Sequence, residues 1–276
     1  MSYSSVTQTT NLKICNSANT NKQSADGATP TQAIGYNTPM SFNERTKILI
    51  GEHGISELAN SCVSVVGIGG VGSNCVESLA RAGICAFVLV DYDIVSESNI
   101  NRQALAFNST IGKSKLEVMS AIIKEINPDA KVQCISMQLL PDNIDEFFSK
   151  MQAKPNYIID TADLVTTKVA LAMRAESLEI PYIAALGSGN KLDPQMLQFA
   201  DIYETHTCRM CKAVRKQARK CGLEKMQVIY SPEEPLVIPA DNNTRKARAN
   251  IGTISYYPAI MGQMIASKVI RDIISE

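Results

Sequence analysis

Residues 63–93, VSVVGIGGVGSNCVESLARAGICAFVLVDYD, decide the fold. The stretch predicts a strand over 63–66, a glycine turn, a helix from Ser73 and a second strand ending in acid. Gly67, Gly69 and Gly72 keep the turn tight, let backbone N–H groups approach phosphate oxygens and allow close helix–strand packing. Asp91 follows the second apolar run, where a carboxylate accepts hydrogen bonds from a ribose. We therefore predict a nucleotide-binding βαβ unit with phosphate at the helix N-terminus.

The composition favours an α/β domain with a full hydrophobic core. The chain has 276 residues, is 45% hydrophobic and 20% charged, and carries no formal net charge. The chain has no overall positive charge that would indicate nucleic-acid binding. No apolar segment approaches the ~18 residues that a membrane span requires. Eight cysteines include three inside or beside predicted core elements, which favours reduced thiols in a cytoplasmic protein over disulfides.

The chain divides into two parts by composition. Residues 1–39 are rich in Ser, Thr, Asn and Gln without apolar periodicity, and we predict a disordered extension. Met40 is equally acceptable as the true start. Residues 40–276 form the predicted adenylation domain, with a nucleotide-binding half over about 40–190 and a substrate and dimer half over about 191–276.

The strand and helix patterns continue after the glycine motif. Apolar spacing predicts a helix over 115–126, a strand over 132–137, a strand over 157–160, a helix over 166–177 and a strand over 182–185. Residues 258–274 predict a core or dimer-face helix. Alternating strands and helices indicate a doubly wound, mostly parallel sheet, whose sites lie beyond the carboxyl ends of the strands.

The polar residues near these strand ends separate two nucleotide chemistries. They are Asp91, Asp93, Asn99, Arg102, Lys115, Asp160 and Asp163. A nicotinamide dehydrogenase would leave Arg102, Lys115 and Asp163 without a task, and its proton-transfer residue is often histidine. An ATP-dependent adenylating enzyme needs cations for the polyphosphate and a carboxylate for Mg²⁺. This set therefore favours ATP chemistry.

Four motifs in order, GIGGVGS, LVDYDIVSESNINRQ, IGKSKLE and IIDTAD, resemble the ThiF/MoeB superfamily of adenylating enzymes with a Rossmann-like fold. The resemblance implies that Gly69 and Gly70 lie against the phosphates and that Asp91 binds the ribose. It further assigns phosphate contacts to Asn99 and Arg102. It assigns the polyphosphate to Lys115 and Mg²⁺ to Asp163. It also implies a homodimer in which Arg45 reaches ATP bound to the opposite subunit.

Local interpretations compete with these roles. Asp93 could cap the loop, Lys115 could be a solvated helix residue, and Arg45 could pair with Glu52 or Glu57 on a surface helix. We favour function for all of the set except Asp93 and Asp160, for which both interpretations stay open.

Further phrases, among them RTKILIGEHGISEL and NINRQALAFNSTIGKSKLEVM, resemble the tRNA threonylcarbamoyladenosine dehydratases, the TcdA/CsdL group. The resemblance implies ATP-dependent activation of the threonyl carboxylate of N6-threonylcarbamoyladenosine beside the tRNA anticodon, followed by cyclisation with loss of water. The alternative within the superfamily is an adenylyltransferase that activates the C-terminal glycine of a sulfur-carrier or ubiquitin-like protein. A sulfur-transfer protein stays open as a partner.

The stretch RMCKAVRKQARK, residues 209–220, predicts an amphipathic helix with a basic face. That face suits a phosphate backbone or serves solubility alone, and we favour RNA contact. Its cations are Arg209, Lys212, Arg215, Lys216, Arg219 and Lys220. A second cluster comprises Arg245, Lys246 and Arg248.

The cysteines near this helix leave metal and thiol chemistry open. Cys208 and Cys211 form one CxxC pair, and a second CxxC pair, which superfamily relatives commonly use for structural zinc, is missing. We therefore predict no zinc of that kind, although Cys221 and His206 could complete a variant site. A thiol with a lowered pKa beside the basic residues would be a nucleophile or sulfur acceptor. Packing of Cys211 and Cys221 as small apolar residues is the interpretation we favour.

Overall fold

The computed structural model describes residues 42–238 and 251–275 of the chain. The predicted extension over residues 1–39, the alternative start Met40 and the basic cluster of Arg245, Lys246 and Arg248 lie outside the described residues.

Seven strands and seven α-helices are present in the described ranges, with short 3₁₀ segments between them. The strands are β1 Cys62–Val66, β2 Ala86–Asp91, β3 Lys131–Ser136, β4 Tyr157–Asp160, β5 Tyr182–Ala185, β6 Gln198–Asp201 and β7 Gln227–Tyr230. The helices are α1 Glu44–Asn60, α2 Gly70–Ala82, α3 Lys115–Ile126, α4 Ile144–Lys150, α5 Val165–Ser177, α6 Arg209–Cys221 and α7 Tyr256–Ile274. The 3₁₀ segments are Glu97–Asn99, Asn108–Thr110, Pro141–Asn143, Pro194–Met196 and Ile202–Glu204.

The strands form one sheet in the order β3-β2-β1-β4-β5-β7-β6. All neighbouring pairs are parallel except β6 and β7, which pair antiparallel at one edge. The central strands β1, β2 and β4 are almost fully buried, as expected where helices cover both faces of a parallel sheet. The predicted doubly wound, mostly parallel α/β fold is confirmed. The strand order reverses at β1, between β2 and β4, so the predicted nucleotide turn lies at the topological switch point.

Helix α7 packs across α2 on one face of the sheet. Met261, Ile265 and Val269 of α7 are buried in the main core. Gly262 lies at the closest approach, where an added β-carbon would overlap the carbonyl oxygen of Val71 in α2. The predicted C-terminal helix is therefore a core helix.

Several element boundaries differ from the prediction by one to three residues. The helix after the glycine turn begins at Gly70 instead of Ser73, because Ser73 N already donates to Gly69 O (2.9 Å) and closes the first turn. Strand β3 begins at Lys131, which pairs with Ala86 of β2, and ends one residue before the predicted bound. Strands β6 and β7 and helix α4 were not predicted.

No helix in residues 42–238 or 251–275 combines the length and apolar character needed to cross a bilayer.

Candidate nucleotide-binding site

The glycine turn between β1 and α2 is held in a conformation that only glycine tolerates at two positions. Gly67 has φ +87°, and a β-carbon there would lie 3.0 Å from the backbone nitrogen of Ala162. A β-carbon on Gly72 would overlap the carbonyl oxygen of Gly67. Gly69 precedes α2 as the N-cap residue, and no side chain caps the helix. The first N–H groups of α2 are therefore available for an anion.

Asp91 ties the end of β2 to this turn. Its Oδ2 accepts from Ile68 N (2.6 Å), and its Oδ1 accepts from Tyr92 N (2.7 Å) and Asp93 N (2.9 Å). The side chain is 8% exposed. Oδ2 accepts one hydrogen bond and keeps a further lone pair for an acceptor role, which suits a ribose hydroxyl. The predicted position of Asp91 at the strand end, beside the glycine turn, is observed.

The loop that follows β2 is fastened to the N-terminus of α2. Asn74 Nδ2 donates to Gly70 O (2.7 Å) and to Arg102 O (3.1 Å), and Ala104 N donates to Ser73 Oγ (3.0 Å). The Arg102 side chain packs over Gly70, and a β-carbon on that glycine would lie 3.2 Å from Arg102 Cγ. This arrangement brings a guanidinium to the uncapped helix end.

The Arg102 guanidinium is held on one side only. Its Nη1 donates to Ser98 O and to Asn101 Oδ1, both at 2.8 Å. Asn99 is buried, and its Oδ1 accepts from Ser96 N (3.1 Å), which fixes the turn that carries Arg102. The remaining guanidinium N–H groups have no partner among the described residues and can serve a phosphate.

Gln103 belongs to this site and was not singled out from the sequence. The residue is 7% exposed, and its Nε2 would lie 4.0 Å from a β-carbon on Gly69. Its Oε1 is buried without a hydrogen-bond partner in the described residues. A buried carbonyl beside the glycine turn needs a donor, which a bound nucleotide can supply. Its position directly after Arg102 in the NINRQ phrase was the available signal.

Lys115 is a buried residue and not the solvated helix residue considered as an alternative. Its side chain is 7% exposed, and Nζ lies 2.9 Å from Asp93 Oδ2. A cation in the first turn of α3 opposes the helix dipole, so it needs an anion nearby. Asp93 supplies one such charge but is itself half exposed. The exposed side of this ion pair is therefore the Asp93 carboxylate. The backbone of Asp93 is in turn hydrogen-bonded to the Asp91 carboxylate.

Asp160 and Asp163, both near the end of β4, differ in environment. Asp160 is fully buried, with Oδ1 3.0 Å from Lys168 Nζ and Oδ2 accepting from Tyr182 OH (2.8 Å). Burial and the Asp160 carboxylate raise the pKa of Tyr182 well above its usual value, which keeps that donor protonated. This buried pair gives Asp160 a structural task.

Asp163 is exposed, and its carboxylate forms no hydrogen bond or ion pair with a described residue. The loop carrying it lies against the glycine turn, because Thr161 Oγ1 donates to Gly67 O (2.6 Å). One free carboxylate near a phosphate site suits Mg²⁺, which commonly takes one or two carboxylates together with substrate phosphates and waters.

Arg45 lies apart from these residues on α1, a helix kinked at Gly51. Its side chain is exposed, and the two acids considered as its partners are engaged elsewhere. Glu52 pairs with Lys47 (2.5 Å), and Glu57 lies 3.7 Å from His53. Within the described ranges, nothing ties Arg45 to the glycine turn of its own chain.

Helix α6 presents its predicted basic face with one correction. Exposed cations on α6 are Arg209, Lys212, Lys216, Arg219 and Lys220, and none has an ion-pair partner among the described residues. Arg215 does not belong to this face, because its Nη1 turns inward and donates to Thr205 O (2.7 Å) and Thr205 Oγ1 (2.6 Å). Cys211, Val214 and Ala218 form the buried face.

No set of three or more His, Cys, Asp or Glu side chains in the described ranges is arranged to hold a metal ion. The variant zinc site of Cys208, Cys211, Cys221 and His206 is therefore not assembled there. Cys208 and Cys211 remain as neighbouring free thiols.

Comparison with known proteins identifies the family. Residues 43–276 match the ThiF family over almost the whole described chain. The chain belongs to the ThiF family. The glycine turn, Asp91 and the Arg102 loop all lie within the residues that match this family.

Among ThiF relatives, the tRNA threonylcarbamoyladenosine dehydratase of Bacillus subtilis is 36% identical over 242 residues, covering 84% of this chain and 94% of that protein. The crystal structure of the E. coli tRNA N6-threonylcarbamoyladenosine dehydratase TcdA in complex with ATP superposes with a TM-score of 0.75 and 30% identity, covering 84% of this chain and 93% of that chain. The predicted resemblance to this group is confirmed.

The Drosophila sechellia adenylyltransferase and sulfurtransferase MOCS3 is 33% identical over 161 residues, which cover 58% of this ThiF chain and 34% of that protein. This match covers less of both proteins than the match to the B. subtilis dehydratase does.

Proposed function

We propose that this ThiF protein is an ATP-dependent tRNA threonylcarbamoyladenosine dehydratase. The observation that carries the proposal is the 36% identity to a dehydratase along 94% of that relative's length, combined with an uncapped α2 N-terminus under the Arg102 side chain. The first feature supports the substrate class, and the second supports polyphosphate binding at this helix end.

The site residues divide the work of holding ATP. Backbone N–H groups at Gly69 and Gly70 and the free guanidinium N–H groups of Arg102 would bind phosphate oxygens, and Asp91 would accept from the ribose. Lys115 would keep its ion pair with Asp93 and at the same time attract the negatively charged polyphosphate. Asp163 would hold Mg²⁺ through its free carboxylate.

The chemistry follows from this charge arrangement. The threonyl carboxylate attacks the α-phosphate, pyrophosphate leaves, and cations facing the leaving group stabilise its developing charge. A nucleophile within the same modified nucleoside then attacks the activated carbonyl and expels AMP, so that the ring closes. The net loss is one water from the nucleoside, and the ring closure gains from the high effective concentration of an internal nucleophile.

A homodimer would complete the site through Arg45. Ile48 and Leu49, beside Arg45 on α1, are 80% and 85% exposed, which is unusual for large aliphatic side chains and suits burial against a second copy. A cation exposed beside an apolar surface, without a partner among the described residues of its own chain, can reach a nucleotide in the neighbouring subunit.

The tRNA would contact the basic face of α6. Five exposed cations on one helix have no acidic partner in the described part of the chain, which favours a polyanion. Binding that neutralises phosphates is salt-dependent. Replacing Lys212 and Lys216 by Ala should weaken tRNA binding and reduce the dependence of the binding affinity on salt concentration. The control is Lys154→Ala, an exposed lysine in the α4–β4 loop. Equal affinities of the two variants would remove α6 from the RNA surface.

The decisive experiment uses purified full-length protein with ATP, Mg²⁺ and tRNA bearing N6-threonylcarbamoyladenosine. Mass spectrometry after mild digestion should show loss of one water from the nucleoside. Omission of ATP or the variant Arg102→Ala should abolish this loss. An unchanged nucleoside despite intact ATP binding would contradict the proposal and favour the alternative, an adenylyltransferase acting on a sulfur-carrier protein.

A further inference from the structure

The Cys208–Cys211 pair lies where α6 begins, and neither cysteine is among the residues assigned to nucleotide binding. Cys208 is the N-cap residue, and Cys211 follows it by three positions, a spacing that places both thiols on one side of the first turn. Residues so spaced have α-carbon separations compatible with a disulfide. The two side chains are 5% and 0% exposed. Both cysteines are free thiols, so the pair is present in its reduced form.

The backbone before the pair is shaped to present Cys208. Thr207 has φ +61°, a rare conformation for a β-branched residue, and Cys208 N donates to His206 O (2.6 Å). Gly187, after β5, borders the sulfur, because a β-carbon there would lie 2.7 Å from Cys208 Sγ. The Cys208 sulfur therefore packs directly against the backbone of Gly187, and a side chain at this position would displace it.

A buried lysine, with no carboxylate partner among the described residues, carries a charge that acts to lower the pKa of both thiols. Lys191 is 3% exposed, and its Nζ donates to Ser231 O (2.7 Å). Within residues 42–238 and 251–275, no Asp or Glu oxygen lies within 4.0 Å of this ammonium. A buried ammonium without a counter-ion is costly, and a neighbouring thiolate supplies the missing negative charge.

The two thiols differ in acidity. Hydrogen bonding from the Cys211 thiol lowers the pKa of Cys208 to about 6. Backbone N–H groups and the charge of Lys191 act in the same direction, whereas burial opposes them. The same hydrogen bond to Cys208, together with burial, raises the pKa of Cys211. The thiol of Cys75, fully buried in the core, has a pKa raised by burial alone. Unequal acidity within a neighbouring pair is the arrangement of a nucleophile and its resolving thiol.

We propose that Cys208 and Cys211 are a redox-active dithiol that a hydroperoxide oxidises reversibly to an intramolecular disulfide. The Cys208 thiolate attacks one peroxide oxygen, forming a sulfenic acid and releasing hydroxide, or an alcohol when the peroxide is organic. The Cys211 thiol then attacks the Cys208 sulfur, its proton joins the departing hydroxide, and water leaves. With hydrogen peroxide, two thiols and one oxidant give one disulfide and two waters, and a small dithiol reverses the reaction.

The test treats the reduced full-length protein with about one equivalent of hydrogen peroxide, then blocks remaining thiols under denaturing conditions. Trypsin cleaves after Arg209 and Lys212, so the disulfide would join peptide 192–209 to peptide 210–212. We expect this linked species to form before Cys134, an exposed described cysteine, is oxidised, and to disappear with dithiothreitol. Preferential oxidation of Cys134, or full alkylation of Cys208 and Cys211, would overturn the proposal.

Variants assign the order of attack. Cys211→Ser should trap a sulfenic acid on Cys208 that reacts with dimedone, whereas Cys208→Ser should leave Cys211 unreactive. Cys221→Ser, the matched control in the last turn of α6, should form the linked peptides at the wild-type rate. Lys191→Met should slow oxidation about tenfold through loss of thiolate. An unchanged rate in Lys191→Met, with the fold intact by circular dichroism, would refute the role of the buried cation.

Discussion

The buried pair of Lys168 and Asp160 provides the sharpest energetic test of the fold. Both side chains are 0% exposed, and Lys168 Nζ lies 3.0 Å from Asp160 Oδ1. The substitution Lys168→Met keeps the apolar stem but leaves the carboxylate without its cation. Tyr182 OH (2.8 Å) and Ala162 N (3.0 Å) still donate to it, so part of its hydrogen bonding survives.

The expected cost follows from those contacts. Removing one partner of a buried ion pair typically costs about 3–5 kcal/mol, and the two surviving donors put this variant near the lower end, about 3 kcal/mol. For a domain of this size, that loss corresponds to a fall in melting temperature of roughly 6–12 °C. The double variant Asp160→Asn with Lys168→Met should recover part of the loss, because the buried charge is gone.

Urea unfolding followed by circular dichroism measures these free energies. The matched control is Lys150→Met, whose partner Glu146 lies 2.7 Å away while both side chains remain about half exposed. That surface pair should contribute at most ~1 kcal/mol. If Lys168→Met were as mild as Lys150→Met, Asp160 would have to be neutral or hydrated in the folded protein, and the structural role assigned to it would be wrong.

Three further predictions concern packing and the nucleotide site. Gly262→Val should destabilise the α2–α7 crossing by about 1–3 kcal/mol, since its side chain meets the Val71 carbonyl, and an unchanged melting temperature would contradict this contact. Lys115→Met should slow tRNA dehydration at saturating ATP about 10²-fold while changing unfolding free energy little; a normal rate would remove it from the reaction. Mixing inactive Arg45→Ala and Arg102→Ala subunits should restore about a quarter of wild-type activity if Arg45 acts across the dimer, because each mixed dimer keeps one intact site. No recovery, despite verified subunit exchange, would place Arg45 outside the neighbouring site.

Local sequence determined the elements that carry strong periodicity or special backbone demands. The bounds of β4, β5 and α3 were predicted as observed, and the glycine turn was located, because apolar runs and positive-φ glycines act within a few residues of chain. The strand-end positions and the resemblance to the ThiF/MoeB superfamily placed Arg102 and Lys115 among the predicted site residues. The structure brings Arg102 over the glycine turn and Lys115 beside Asp93.

The tertiary structure alone decided which polar groups are engaged and which are free. Asp160 and Asp163 are three positions apart with the same chemistry, yet one is neutralised by buried Lys168 and the other is exposed. Arg215 was predicted from the sequence to lie on the basic face of α6, but its side chain turns inward and donates to Thr205. The charge state and availability of a side chain depend on partners brought together by folding, and local sequence patterns carry no information about those partners.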